Sequence, residues 1–275
     1  MIDAKNAVNR VKIETALWGI AMVLRIGVVV AMGVAVATGH ARAALVEGTR
    51  GSDVLFGADD DNQQNPAIQP AGVVANQSLN NTDVIDGKAG NDLLIGLLGG
   101  DVIRGGPGDD VIVGGTEQFT QPNSDIMYGD SGNDVVIWRP GDGSDVFIGG
   151  HGTDALVMGA IDRDARNLPV IVPARGRHAK TGLPTADVTG QPGFCTLEDV
   201  RGQDIGYDFL VRFFLKSTGA LAVTMRVAEV EQVFCTSQTA QAITFADLED
   251  ESPAFVEISL DEVAHQNDTV AEIIR

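Results

Sequence analysis

The sequence predicts an all-β protein: a parallel β-solenoid of nine-residue repeats, followed by a small β-rich C-terminal capping domain. Three observations lead there. A unit reading G-G-x-G-x-D-x-U-x, with U a large apolar residue, recurs between Asp53 and Asp154. A fixed short period of this kind is the mark of a repeat architecture. Its sixth position holds Asp53, Asp83, Asp92, Asp101, Asp110, Asp125, Asp134, Asp145 and Asp154, and its eighth position is apolar in every copy.

Each part of the unit has a physical task. The cleanest copies are Gly87-Lys88-Ala89-Gly90-Asn91-Asp92-Leu93-Leu94-Ile95 and Gly105-Gly106-Pro107-Gly108-Asp109-Asp110-Val111-Ile112-Val113. A coil this short must turn sharply, and the turn needs residues with positive φ, which glycine supplies without a Cβ penalty. Asn81 and Asn123 stand in for glycine, asparagine being the best tolerated substitute in that conformation. The last three positions form a short strand whose middle residue points inward by period-two alternation. Those inward residues are Leu55, Ile85, Leu94, Ile103, Ile112, Met127, Val136, Phe147 and Leu156.

The repeat resembles that of the hemolysin-type calcium-binding (RTX) family over roughly residues 48–158. The resemblance implies a β-roll in which two nonapeptides complete one turn. Aspartates eighteen residues apart then stack, Asp83 over Asp101 and Asp92 over Asp110. Asp134 faces Asp154 if two extra residues near Trp138 and Arg139 bulge out. Stacked carboxylates repel by about 4 kcal/mol at a 4 Å separation in a surface-like dielectric. A hard divalent cation reverses that sign, because Ca²⁺ takes six to eight oxygens from carboxylates and main-chain carbonyls. The expected ligands are the nine aspartates, with carbonyls from the turn glycines Gly87, Gly90, Gly99, Gly105, Gly108, Gly132, Gly143 and Gly152.

The repeats are interrupted twice. A polar insertion spans about 58–78 and is expected to loop out, leaving the Asp53 repeat as a detached or capping coil. A shorter one runs from Gly114 to about Phe119. Long surface excursions of this sort are thermodynamically tolerable.

The N-terminus reads as an export signal. Ile26 to Ala37 is a short apolar run preceded by Arg25 and followed by Ala41-Arg42-Ala43, an A-x-A cleavage site. Residues 1–43 are the expected signal peptide, with Met22 as an alternative start. The rival is an uncleaved anchor from Ala16 to Thr38 that would bury Arg25, at a cost of about 2.5 kcal/mol or more unless the side chain snorkels. Cleavage leaves no stable transmembrane segment and a secreted, cell-surface or periplasmic protein. Many RTX proteins carry no such N-terminal signal, so the chain departs here from the family it resembles.

Composition agrees. The chain has 19 basic and 38 acidic residues and a formal net charge of −19. Losing residues 1–43 removes five positive and two negative charges and takes the remainder to −22. Such a chain repels nucleic acid and suits cations. At 44% apolar residues it can still build a core.

Residues 159–275 form the expected cap. Residues 159–206 are rich in proline, glycine and arginine and read as irregular loop. Arg163, Arg166, Arg175, Arg177, His178 and Lys180 gather there as a solvated basic stretch or a site for an anionic glycan or phosphate. Tyr207 to Leu215 and Ala220 to Val227 read as a hairpin around Lys216-Ser217-Thr218-Gly219. Val230 to Phe234 and Ala242 to Phe245 follow as strands, and Leu260 to Ile274 as a short helix. The segments 227–234 and 243–248 are similar to the flank that follows repeats in many RTX proteins. An open solenoid end needs such a cap. In an exported protein Cys195 and Cys235 form a disulfide, the alternative being two buried thiols.

Catalytic motifs are missing. The sequence has no H-E-x-x-H and no G-x-S-x-G. Gly129-Asp130-Ser131-Gly132 looks like a serine-protease motif, but its glycines already serve a repeat turn. His40, His151, His178 and His265 show no ligand spacing. The reading is an exported calcium-binding protein with a structural, adhesive or surface-interaction role, whose partners are calcium and either a cell-surface glycan or another exported protein. The alternative is a small secreted hydrolase or lyase acting on polysaccharide, with structural calcium.

Overall fold

The computed structural model describes residues 45–57, 82–115, 124–165 and 168–274. The export signal, the insertion expected at 58–78, Asn81, Asn123 and most of the second insertion lie outside them.

The repeats fold as coils of two strands. The ten strands are β1 (Leu45–Glu47), β2 (Val54–Phe56), β3 (Val84–Asp86), β4 (Leu93–Leu97), β5 (Val102–Pro107), β6 (Val111–Gly115), β7 (Ile126–Ser131), β8 (Val135–Trp138), β9 (Val146–His151) and β10 (Ala155–Met158). Odd-numbered strands stack in parallel as one sheet, β1-β3-β5-β7-β9, and even-numbered strands as the other, β2-β4-β6-β8-β10. Registers put like positions together: Ile85 opposite Ile103, Ile103 opposite Met127, Leu94 opposite Ile112, and Val136 opposite Leu156. All nine expected inward residues are at most 1% exposed.

The Asp53 coil is not detached. Strand β2 pairs in register with β4, Leu55 facing Leu94, because its inward leucine completes the same apolar column. An unforeseen strand, β1, lies beside β3 and buries Val46.

Nor do Trp138 and Arg139 bulge into solvent. Trp138 prolongs β8 and is 1% exposed; Arg139 is 3% exposed. The indole packs against Phe213, with ring centroids 5.3 Å apart, and donates to the Gly143 carbonyl at 3.0 Å. Trp138 belongs to the same buried apolar cluster as Val136, Leu156 and Phe213.

After the roll come β11 (Ala160–Ile161), β12 (Ile171–Val172), β13 (Leu183–Pro184) and β14 (Ala186–Asp187), which pair antiparallel as β11 with β14 and β12 with β13. They are followed by β15 (Gly193–Asp199), β16 (Phe209–Leu215), β17 (Leu221–Ala228), β18 (Gln232–Thr236), β19 (Ile243–Asp247) and β20 (Val256–Ile258). Residues 159–206 are therefore not all irregular. Strand β15 runs seven residues beside β16, and Gly193 leaves room for the Phe213 ring, whose edge a Cβ there would meet at 2.3 Å. The expected hairpin is β16–β17. The tail is two helices, α1 (Leu260–Gln266) and α2 (Asp268–Ile273), because extended Asn267 ends the first and caps the second through its side chain. A capping box at Ser259 and Glu262 starts α1.

Both sheets pass from the roll into the C-terminal half. Strand β17 continues the first sheet in parallel with β9, and β18 continues the second in parallel with β10. Antiparallel β16, β15 and β19, β20 finish the two edges. Cys195 in β15 and Cys235 in β18 are joined by a disulfide across the core.

The two sheets differ in their outer faces. On the even-numbered sheet Leu93, Ile95, Val111, Val113, Val135, Ile137 and Val157 are fully buried in a second apolar cluster with Ile161, Leu183, Val188, Val263, Val270 and Ile273. On the odd-numbered sheet Val84 and Ile126 are 39% and 37% exposed. The signal stands in the sequence. Alternate repeats carry three apolar strand residues (Leu93-Leu94-Ile95, Val111-Ile112-Val113, Val135-Val136-Ile137), whereas three of the others end in Asp86, Arg104 and Tyr128, Val146-Phe147-Ile148 being the exception. A strand buried on both faces loses the apolar–polar alternation.

Candidate metal centre

Each repeat aspartate sits at the residue before a strand, where the turn delivers its carboxylate to the edge of the roll. The nine form two columns. Asp53, Asp92, Asp110, Asp134 and Asp154 precede even-numbered strands; Asp83, Asp101, Asp125 and Asp145 precede odd-numbered ones. Asp53 is 3% exposed and the others 0–1%.

Within a column each Oδ1 accepts the main-chain N–H of the aspartate one coil earlier. Asp53 donates to Asp92 at 2.7 Å, Asp92 to Asp110 at 2.7 Å, Asp110 to Asp134 at 2.7 Å and Asp134 to Asp154 at 2.8 Å. In the other column Asp83 donates to Asp101, Asp101 to Asp125 and Asp125 to Asp145 at 2.7–2.9 Å. The bulge-corrected pairing of Asp134 with Asp154 holds even though the extra residues are folded inward. A second file one residue earlier runs the opposite way: the side chains of Ser52, Asn91, Asp109 and Asn133 accept the main-chain N–H one coil later, from Asn91, Asp109, Asn133 and Thr153.

Asp53 Oδ2 accepts from the Thr49 N–H at 2.6 Å and the Thr49 hydroxyl at 2.8 Å, but further along its column the second oxygen is unsatisfied. Oδ2 of Asp92, Asp110, Asp134 and Asp154 is buried without a hydrogen-bond partner. An unmatched buried charge of this kind is strongly unfavourable unless paired or ligated. Each Oδ2 turns back over the first-position glycine of its own repeat. A Cβ on Gly105 would meet Asp110 Oδ2 at 2.3 Å and the Gly129 carbonyl oxygen at 2.9 Å; one on Gly129 would meet Asp134 Oδ2 at 2.3 Å and the Gly149 carbonyl at 2.5 Å. The missing Cβ thus leaves a cradle where a carboxylate of one coil and a carbonyl of the next converge.

Fourth-position glycines make the close coil spacing possible. Gly90, Gly108, Gly132 and Gly152 have φ between +129° and +150°. A Cβ on Gly108 would lie 1.8 Å from the Gly90 carbonyl oxygen. Second positions are more permissive: Lys88, Leu97 and Asp130 adopt positive φ there, at 77°, 78° and 73°. Of the turn glycines named above, Gly143 has its carbonyl engaged by the Trp138 indole.

Burial pushes the carboxyls up, to about 6 at Asp92, about 7 at Asp154, about 8 at Asp110 and about 9 at Asp134. Loss of hydration is the main cause in each. Main-chain hydrogen bonds oppose it, and neighbouring carboxylates in the column add to it.

One ligand candidate was not visible in the repeat pattern. Asp142 brings a carboxylate oxygen within 4.8 Å of those of Asp125 and Asp145, all three residues being buried. Its Oδ2 also accepts from Gly115 N–H at 3.0 Å. Its only signal was Gly141-Asp142-Gly143, out of phase with the repeat.

The basic stretch of the C-terminal half reaches this edge. Arg177 forms an ion pair with Asp109, the residue beside Asp110. His178 is buried, and burial pushes its imidazole pKa down.

A parallel roll with oxygen donors in columns at its turns is a repeat-built solenoid for hard cations. The chain carries four copies of the RTX calcium-binding nonapeptide repeat, matched over residues 39–63, 86–116 and 122–137. Asp53, Asp92, Asp101, Asp110, Asp125 and Asp134 fall inside those segments; Asp83, Asp145 and Asp154 fall outside them yet stand in the same columns. No curated protein and no solved structure matches the chain. Among the described residues no helix is long and apolar enough to cross a membrane.

Proposed function

We propose that this is an exported calcium-binding β-roll protein whose repeats fold with their ions and then serve a structural, adhesive or surface-interaction role. The supporting observation is the half-satisfied carboxylate. One oxygen of Asp92, Asp110, Asp134 and Asp154 ties two coils together, while the buried second oxygen of each has nothing to bind. The ligands are then Asp53, Asp83, Asp92, Asp101, Asp110, Asp125, Asp134, Asp145 and Asp154, with carbonyls of the turn glycines. All donors are oxygens, which suits Ca²⁺ and its flexible coordination better than Mg²⁺, which demands an octahedron.

Ca²⁺ held by these aspartates and carbonyls would neutralise the stacked carboxylates and so favour closed coils. What the chain supplies is spacing: a coil of two nine-residue units that brings an aspartate back over the last, and glycines that admit carbonyls beside it. Without ions the column repels itself, so binding energy becomes folding energy. An extracellular-type affinity, on the order of 10⁻⁴–10⁻³ M, fits that use. The export signal at 1–43 directs the chain to a compartment where such calcium levels occur, and the domain limits are 44–158 for the roll and 159–275 for its cap.

Circular dichroism tests the reading. The mature chain should gain β-sheet signal in millimolar Ca²⁺ and far less in Mg²⁺, with Asp92→Ala needing more calcium than Asp250→Ala on the exposed surface. Identical spectra in EDTA and Ca²⁺ would remove it.

A further inference from the structure

The repeat motif ends at Asp154, but the column does not. Strands β17 and β18 form one more coil, and the turn between them is only Glu229-Val230-Glu231. It has no glycine and no aspartate. Even so, Glu231 stands where the next aspartate would, at the residue before β18. Its Oε2 accepts the Asp154 main-chain N–H at 2.6 Å, as Asp154 Oδ1 accepts that of Asp134 at 2.8 Å.

The carbonyl pattern also continues. A Cβ on Gly149 would meet the Glu229 carbonyl oxygen at 2.0 Å, the place held by Gly149 O over Gly129 and by Gly129 O over Gly105. Gly150 N–H donates to that same carbonyl at 3.2 Å. Glu229 holds it there with φ of 53°, its own N–H anchored on Asp208 Oδ2 at 2.8 Å. Beneath lies Asp154 Oδ2, fully buried and without a partner, 2.5 Å from the same hypothetical Cβ. A short turn that lacks every letter of the repeat therefore rebuilds its donor set from a glutamate and a main-chain carbonyl.

We infer that the last repeat turn, Gly149–Asp154, is a divalent-cation site completed from outside the repeats by the Glu231 carboxylate and the Glu229 carbonyl. The inference rests on the reading of the repeat turns as calcium sites. It adds one ion to those the repeats hold among themselves, and it makes docking of the C-terminal half part of metal binding. The extra methylene of glutamate offsets the shorter turn, so the carboxylate still reaches Asp154.

Charge, not hydrogen bonding, is what the site needs from Glu231, and Glu231→Gln separates the two. The amide oxygen can still accept the Asp154 N–H, but the anionic ligand is gone. Native mass spectrometry in calcium should show Glu231→Gln one ion short of the wild type, Glu231→Asp short as well because its carboxylate no longer reaches Asp154, and the exposed neighbour Glu249→Gln carrying the full number. Equal ion counts in wild type and Glu231→Gln would overturn the inference. A wild type that binds no calcium would instead overturn the reading of the repeats. Hydrogen exchange on the wild type needs no variant. Segments 149–154 and 226–236 should gain protection over the same calcium range, and indifference of both to calcium, while the earlier repeats respond, would equally overturn it.

Discussion

Cys195 and Cys235 tie the two sheets together: one lies in β15 at the end of the first sheet, the other in β18 in the middle of the second. Both belong to the buried apolar cluster that also holds Phe213, Met225, Val233 and Leu248. The bond closes a loop across a sequence separation of 40 residues. In the chain-entropy account a loop of that size is worth about 3–4 kcal/mol. Urea unfolding in saturating calcium should show a loss of that order for Cys195→Ser/Cys235→Ser. A change below about 1 kcal/mol would mean that the core alone holds the sheets.

The outer face of the even-numbered sheet is core, and that of the odd-numbered sheet is surface. Ile137→Ala should destabilise by about 2–5 kcal/mol, the usual range for truncating a buried aliphatic side chain. Val84→Ala, on the open face, should change stability by no more than about 0.5 kcal/mol. Chemical denaturation in saturating calcium checks both, and equal losses would contradict the difference between the faces.

Coil spacing depends on fourth-position glycines. Gly108→Ala places a methyl group 1.8 Å from a backbone oxygen at a φ of +150°, and backbone has nowhere to retreat. Calcium-induced folding of this variant should be lost or need at least about tenfold more calcium, as read by circular dichroism. Near wild-type behaviour would show that neighbouring coils can separate.

In the ion-free protein the pH dependence should run opposite to that of an ordinary acidic protein. Burial raises the carboxyls of Asp92, Asp154, Asp110 and Asp134 to between about 6 and about 9. A folded-state pKa above the unfolded value stabilises at low pH, where both states are fully protonated, and the two states differ in bound protons only once pH climbs past about 4. That stabilisation is complete below the unfolded pKa and is lost as pH rises through the range 6 to 9. In EDTA the roll should thus be more ordered at pH 5 than at pH 9. Calcium requires the charged form, so its affinity should rise with pH and its binding should release protons. Calorimetry in buffers of different ionisation enthalpy measures that release, and none at pH 6 would contradict the raised values.

The roll was legible in the sequence because each property repeats. A single Ile112 says little, but nine inward apolar residues in phase with nine aspartates leave one geometry. The C-terminal half offered no such redundancy. Strand β15 was hidden among prolines and glycines, since Gly193 reads as a breaker until Phe213 is seen against it. The coil made by β17 and β18 was invisible as a coil, because Glu229-Val230-Glu231 shares no residue type with the turns it continues. Its place is set by pairing with β9 and β10, a long-range property that no local motif records. Trp138 misled for a related reason: as excess length it suggested a bulge, while its volume was needed inside.

The unequal outer faces give the array a grammar. Neighbouring nonapeptides look interchangeable by motif, yet one kind is read on its covered side and the other on its open side. Gain or loss of a single nine-residue unit would swap those meanings for every unit before it. Leu93 and Ile95 would face water, while Asp86 and Arg104 would be pressed beneath the C-terminal segments. Growth and shrinkage of this solenoid are therefore permitted only in steps of two units, a whole coil at a time, and the evolutionary word is eighteen letters long although its spelling repeats every nine.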